Sequence, residues 1–319
     1  MSPPREIRLT PHDAGDRPAR RSKLTTLEDA LSSLVPRSTI GIGGIIHQSR
    51  PVAAVRELVR RRVGGLTVFS GPAAGYDIDL LIAAGLIETA YVPAVTFERH
   101  GMAPSFRRAV EGGALRAPVI DVLTLVAGYS ASWLGLPFMP VNAWRGIDLP
   151  QHNPLATELP APYAGTYAVA PIELDVFVMH AAEGDEYGNV RSFSTMVTID
   201  ELAAKAARRV VVMVDRLIDN EEIVRDPRAT TLASPRVDAV CVVPYGAHPT
   251  SSPNRYASDD EHIASYHAAA EAARRGESAE LDDYFADYIH GPADHFEYLS
   301  RIGGLERMTQ LEREEQVGA

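Results

Sequence analysis

An α/β fold with an open, mostly parallel sheet flanked by helices is predicted by two features of the sequence. Short apolar runs alternate with segments of helical periodicity, the pattern of βαβ units. Two successive runs also end in small-residue turns. Ile40-Gly41-Ile42 enters Gly43-Gly44-Ile45-Ile46-His47-Gln48-Ser49-Arg50-Pro51, and Leu66-Thr67-Val68-Phe69 enters Ser70-Gly71-Pro72-Ala73-Ala74-Gly75. In an open parallel sheet, ligands bind beyond the carboxyl ends of the strands, where both turns are expected.

The elements follow in order. Thr25-Thr26-Leu27-Glu28-Asp29 carries capping chemistry and starts a helix with Ala30, Leu31 and Leu34 on its apolar face. A strand is expected over 38–43. Pro51 opens a helix to Arg62, with Val52, Val55, Leu58 and Val59 on one stripe. A strand over 66–69 precedes a helix over 76–84 stopped by Gly85. A strand over 89–95 leads to a helix over 104–112, ended by Gly112-Gly113. A strand over 117–121, an apolar segment over 122–136 and a short strand over 136–141 come next. Residues 142–172 are rich in proline, asparagine and alanine and read as a long excursion. A second βα section begins at Leu174–His180, with a turn over Glu183–Asn189, a helix over 199–207 and a strand over 209–214. The strand 237–243 ends in Pro244-Tyr245-Gly246-Ala247-His248-Pro249, and the tail over 260–303 is helical.

Composition bounds the function. A formal net charge of −11 argues against a nucleic-acid partner, which calls for a basic face. The single cysteine, Cys241, lies in the apolar run Ala239–Val243. It reads as buried filler and fits a reducing, cytoplasmic compartment. No apolar run approaches the ~18 residues of a membrane span. The first 22 residues hold arginines and prolines without an apolar core, unlike a secretory signal. Residues 1–23 are expected to be a mobile extension, 24–310 the folded domain and 311–319 a tail.

The turns supply candidate binding residues. Glycine lets backbone N–H groups approach a ligand, and the following helix directs its positive end to the same place. From the first turn these are Gly43, Gly44, His47, Gln48 and Arg50; from the second, Gly71, Ala73, Ala74 and Gly75. Neither turn is a P-loop, and the first lacks the third glycine of the dinucleotide fingerprint. Arg50 is either a carboxylate or phosphate clamp or a solvated helix-start residue. Glu98, past a strand end, is either a base or nucleophile or an ion-pair partner of Arg99 and His100. His47, His180 and His248 are acid–base candidates or structural hydrogen-bonders. No serine-hydrolase elbow and no zinc-like spacing occurs, so no metal site is expected. A site without an evident nucleophile reads as half of an enzyme.

Many collinear segments resemble the A subunit of the class I coenzyme A transferases, the glutaconate type above all. They include the glycine turn with Arg50-Pro51, Gly71–Asp77, Phe106-Arg107-Arg108 and Gly135–Val141. His180-Ala181 with Asp185, Gly188-Asn189-Val190, Glu221-Glu222-Ile223, Arg225-Asp226-Pro227, Val237–Val240, Pro244–Pro249 and Asp294–Leu299 continue it. The resemblance implies a sheet shared with ribose-5-phosphate isomerase, an A2B2 assembly with a B subunit, and no resident cofactor. A coenzyme A thioester would be substrate, and the catalytic glutamate would come from B, which explains the missing nucleophile. The steroid ring-cleaving acyl-CoA hydrolases of actinobacteria share this architecture and imply an alternative, as does a non-catalytic assembly role. The hydrolase glutamate aligns most nearly with Val122, where the transferase has glutamine. Asp121, its neighbour, is the candidate substitute if a bend intervenes.

Overall fold

The computed structural model describes residues 20–195 and 197–318. Most of the expected N-terminal extension, residues 1–19, lies outside them. Among the described residues, no helix is long and apolar enough to cross a membrane.

In chain order, the first half runs α1 (Leu27–Ala30), β1 (Thr39–Ile42), α2 (Val52–Arg61), β2 (Leu66–Ser70), α3 (Tyr76–Ala83), β3 (Ile87–Tyr91), α4 (Pro104–Glu111) and α5 (Val122–Leu134). The excursion holds β4 (Met139–Val141), α6 (Leu149–His152), β5 (Ala156–Glu158) and β6 (Tyr167–Val169). The second half runs β7 (Val176–Gly184), β8 (Val190–Arg191), α7 (Val197–Ala206), β9 (Val210–Leu217), α8 (Asn220–Arg225) and β10 (Ala239–Val242). It closes with α9 (Asp260–Arg274), α10 (Ala279–Phe285), α11 (His295–Arg301) and α12 (Gly304–Gly318).

The open α/β sheet is borne out. Its strand order is β10-β9-β7-β1-β2-β3, with all neighbours in that path parallel and β8 added antiparallel to β7. The chain winds outward from β1 in one direction and from β7 in the other. The adjacent pair β1 and β7 is therefore the switch point, where such sheets bind ligands.

Alternate residues of the central strands feed two cores, as the pleat requires. Val176, Val178, Val211 and Met213 pack with the α2 stripe of Val52, Val55, Leu58 and Val59 and with Ile263 and Tyr266 of α9. Phe177, Met179, Val210, Val212 and Val214 pack on the other face with Leu125 and Tyr129 of α5 and Ile199 and Ala203 of α7. Strands covered on both faces explain the continuous apolar runs in the sequence. Full burial of one such side chain contributes about 1.5–3 kcal/mol. Cys241 is part of the first core, and burial pushes its thiol up to about 12, so it is filler.

Three segments differ from expectation. No strand forms over 117–121: Arg116 makes one bridge to Thr89, and the chain then turns into α5. Pro118 has no N–H for a ladder, and Asp121 caps the helix instead. The strand expected over 89–95 spans Ile87–Tyr91 and stops before Pro93. The excursion over 142–172 is structured, its β5 and β6 joining β4 in an antiparallel sheet of order β4-β6-β5.

Candidate active site

The carboxyl ends of β1, β2 and β3 carry three loops that backbone bonds lace into one ledge. Ile46 N–H donates to Ala73 O at 2.9 Å, Ala74 N–H to Ala94 O at 2.9 Å, and Thr96 N–H to Ala74 O at 3.0 Å. The loop after β10 joins from the far side: Ser49 N–H donates to Ser251 O at 2.7 Å and Ser251 N–H to His47 O at 2.8 Å. The two glycine turns thus form one surface, as their repetition in the sequence suggested.

The first turn is held in unusual backbone. Gly44 has φ +85°, and Ile46 and Ser49 have φ +45° and +54°. A β-branched residue in the left-handed region stores about 1–3 kcal/mol, a cost that clusters at ligand sites. Glu98, on the third loop, has φ +50°.

Side chains fix this shape. Arg50 is fully buried: Nη1 donates to Gly44 O at 2.7 Å, Nη2 to Ser70 Oγ at 2.8 Å, and Nε to Asp77 Oδ2 at 2.7 Å. Its carboxylate partner is therefore internal, and the guanidinium ties the first turn to β2 and α3. Gln48 Oε1 accepts from Thr195 N–H at 2.9 Å and Thr195 Oγ1 at 3.1 Å, tying the turn to the segment before α7. Gly44 N–H lies 3.1 Å from both oxygens of Asp200, a buried residue of α7. At Gly43 a Cβ would stand 3.0 Å from Met179 and Phe177. At Gly71 it would stand 2.3 Å from Leu125 of α5.

His47 is half-buried, its ring edge-on to Phe97 with centroids 5.6 Å apart. Gly75 makes room for it: a Cβ there would stand 3.2 Å from His47 Nε2. Nε2 is buried without a partner. Burial first, then His100, Arg50 and Arg99, push the ring down to about 4, so it is neutral at physiological pH. Ile45–Gln48, Pro72 and Ala73 remain half-buried, and Ala94 and Glu98 exposed.

The other candidates fall elsewhere. Glu98 makes no ion pair with Arg99, which pairs with Asp260. His180 lies 3.1 Å from Asp215 in a fully buried cluster, and His248 bridges Tyr298 and Asp259 at 2.7 and 3.1 Å. Both are interior and paired within the fold. Asp121 Oδ1 accepts from Thr124 N–H at 2.8 Å, and Oδ2 from Trp144 Nε1 at 2.8 Å. Its carboxylate caps α5 and anchors the excursion, and Val122 is the first residue of that helix. No cluster of three metal-ligating side chains occurs among the described residues. Sequence reasoning missed Asp200 and the role of Asp77. Asp77 stood within the Gly71–Asp77 segment, whereas nothing local marks Asp200.

The chain matches the Coenzyme A transferase family over residues 24–242. A chain of the crystal structure of glutaconate coenzyme A-transferase from Acidaminococcus fermentans superposes with a TM-score of 0.82 at 28% identity, over 91% of this chain and 96% of that one. The A subunit of glutaconate CoA-transferase from the same organism is 29% identical over 303 residues, 88% of this chain and 92% of its own length. The cholesterol ring-cleaving hydrolase IpdA subunit of Mycobacterium tuberculosis is 32% identical over 261 residues, 78% of this chain and 88% of its own. An uncharacterized protein of Archaeoglobus fulgidus is 32% identical over 310 residues, 92% of this chain, which spans only 65% of that protein's length. With a family match running from the first strand to the last and relatives that cover nearly the same span, the chain belongs to the coenzyme A transferase family.

Proposed function

We propose that this chain is the A subunit of a two-subunit coenzyme A transferase, moving coenzyme A between an acyl-CoA and a carboxylic acid. The observation that carries the reading is a glycine-turn ledge in a chain of this family with no poised nucleophile of its own among the described residues. Arg50, Asp77, Asp200 and Gln48 are all committed to holding the glycine turn. Glu98, the one carboxylate of the rim considered for chemistry, is exposed, and its bond to Thr96 Oγ1 comes from its backbone N–H and does not aim its carboxylate. The nucleophile is then a glutamate of a B subunit, which attacks the thioester carbonyl, expels coenzyme A thiolate and forms an acyl-glutamyl anhydride. The thiolate returns to the glutamyl carbonyl of the anhydride and displaces the first carboxylate, giving a glutamyl thioester. The second carboxylate attacks that carbonyl and expels the thiolate, which then attacks the acceptor carbonyl of the new anhydride and frees the glutamate. Splitting the transfer this way lowers each barrier.

In this reading Ile45–Gln48 and Pro72–Gly75 receive the acyl-thioester end, with Gly43, Gly44 and Arg50 shaping the surface beneath. The assembly is A2B2, cytoplasmic, and uses coenzyme A thioester only as substrate. The domain proposed to do this spans residues 24–310.

A second reading, the α subunit of a ring-opening oxo-acyl-CoA hydrolase, draws on the likeness to the IpdA subunit. It needs a free carboxylate near Val122, and the neighbouring Asp121 has both oxygens engaged. A non-catalytic assembly role would leave the strained ledge without a use.

The test is an acyl-CoA panel on the complex of this chain with its partner subunit, with and without carboxylate acceptors. Acceptor-dependent exchange is expected, with none from the isolated chain. Hydrolysis without acceptor dependence would favour the second reading, and turnover by the isolated chain would overturn the split site.

A further inference from the structure

Asp200 is a charged group at the glycine turn that comes from the other half of the fold. It sits on α7, after β7, yet both its oxygens lie 3.1 Å from the Gly44 nitrogen on the β1 side of the switch point. Gly43 leaves it room, since a Cβ there would stand 3.1 Å from Asp200 Oδ1. From the opposite side Arg50 Nη1 holds Gly44 O at 2.7 Å. The two peptide groups flanking the Gly44 Cα are thus gripped by an anion and a cation from different halves of the sheet.

The anion is poorly compensated. Arg50 faces Asp200 but is paired with Asp77. The other groups facing it are Glu201 on α7, a like charge, and Tyr129 on α5, which stays protonated. β7 presents the apolar Phe177 and Met179 to this corner. Asparagine would offer Gly44 a neutral and weaker acceptor without a buried charge. A charge retained against its desolvation cost is a local conflict of the kind found at functional sites.

We infer that Asp200 is a positioning residue: its carboxylate, by taking the Gly44 N–H, holds the glycine turn in its strained shape, and its protonation slackens the turn. Burial pushes this carboxyl up to about 7, which places the change near neutrality. The link to the turn stands on the geometry alone, whereas the link to turnover rests on the transferase reading above.

The experiment compares wild type, Asp200→Asn and Asp200→Ala, each as full chain with its partner subunit. Amide hydrogen exchange over residues 43–49, corrected for intrinsic rate, is measured at pH 6 and pH 8. Acceptor-dependent transfer from acetyl-CoA, glutaryl-CoA and 3-oxoacyl-CoA is followed across the same range. Wild-type protection of Gly44 is expected to fall several-fold from pH 8 to pH 6. Asp200→Asn, a neutral acceptor like the protonated carboxyl, should show at both pH values the lower protection that wild type shows at pH 6, and Asp200→Ala should be less protected still. kcat of the wild type should fall below neutrality, and this limb should vanish in Asp200→Asn. Unchanged protection between pH 6 and 8 in wild type, or an acid limb kept in Asp200→Asn, would overturn the inference. Should the wild-type complex show no turnover at any pH, the transferase reading fails, and the exchange measurement still decides the role of Asp200.

Discussion

The Arg50 guanidinium donates through Nε to Asp77 Oδ2 at 2.7 Å, and neither side chain reaches solvent. The pair joins the end of the first turn to the start of α3, and the remaining guanidinium bonds reach Gly44 O and Ser70 Oγ. Removing one partner strands the other charge in the interior, which costs about 3–5 kcal/mol. Asp77→Ala and Arg50→Ala should each lower the urea midpoint by that scale. The double variant should lose less than the sum of the two, by about 0.5–3 kcal/mol. Additive losses in urea titrations of all four proteins would mean that the two residues act independently.

Gly44 is bound to its position by backbone rather than by ligand space alone. At φ +85° a side chain is strained, and a Cβ would stand 2.5 Å from Ser49 O and 2.7 Å from Gln48 O. Gly44→Val is therefore expected to abolish activity and to disrupt the turn together, seen as faster hydrogen exchange over 43–49. Loss of activity with unchanged exchange would instead indicate that the ligand occupies the space the valine fills.

The order of strands and helices was readable because both faces of the sheet are covered, which makes the strands apolar runs, and because Pro51, Gly85 and Gly112 punctuate the helices. The 117–121 segment misled because Val119-Ile120-Asp121-Val122-Leu123 is apolar enough for a strand, and only the partners of Asp121 reveal a helix cap. The ledge was readable from the two glycine turns. Its supports were not: Asp200 is 156 positions from Gly44 along the chain, and no local pattern announces such a contact. Arg50 was legible as important, but whether it meets a ligand or its own chain depends on the placement of Asp77.

Asp121 is expected to stabilise rather than catalyse. Loss of a helix N-cap costs about 0.5–2 kcal/mol, and here Trp144 would lose its acceptor too. Asp121→Ala should lower the melting temperature of the chain, and Asp121→Asn, which keeps one acceptor and sets its amide NH2 against the other donor, should restore only part of it. kcat of the complex should stay within a few-fold in both. A hundredfold fall in kcat for a stable Asp121→Asn complex would place this carboxylate in the chemistry.

Acid should destabilise the chain, and replacing Asp200 should deepen the effect. Burial holds several histidine rings neutral: His47 is pushed down to about 4 and His295 to about 3, and His248 and His262 are lowered as well. Unfolded, these rings protonate near pH 6.5, so between about 6.5 and 4 the unfolded chain binds more protons than the folded one. Stability is then intact above pH 6.5 and lost as pH falls through that window. Asp200 acts with the opposite sign. Its carboxyl is raised, so in the window from about 7 down to its unfolded value near 4 the folded chain holds the extra proton and gains stability. Asp79, also raised by burial, acts the same way as Asp200, but four rings outweigh two carboxyls, so the net change on acidification is a loss. Asp200→Asn removes its share of the opposing contribution. Urea midpoints at pH 8 and pH 4.5 should therefore differ more in Asp200→Asn than in wild type, with the variant the more stable of the two at pH 8. Equal pH dependence in the two proteins would mean that Asp200 is ionised in the fold at both pH values, with more compensation than Arg50 supplies.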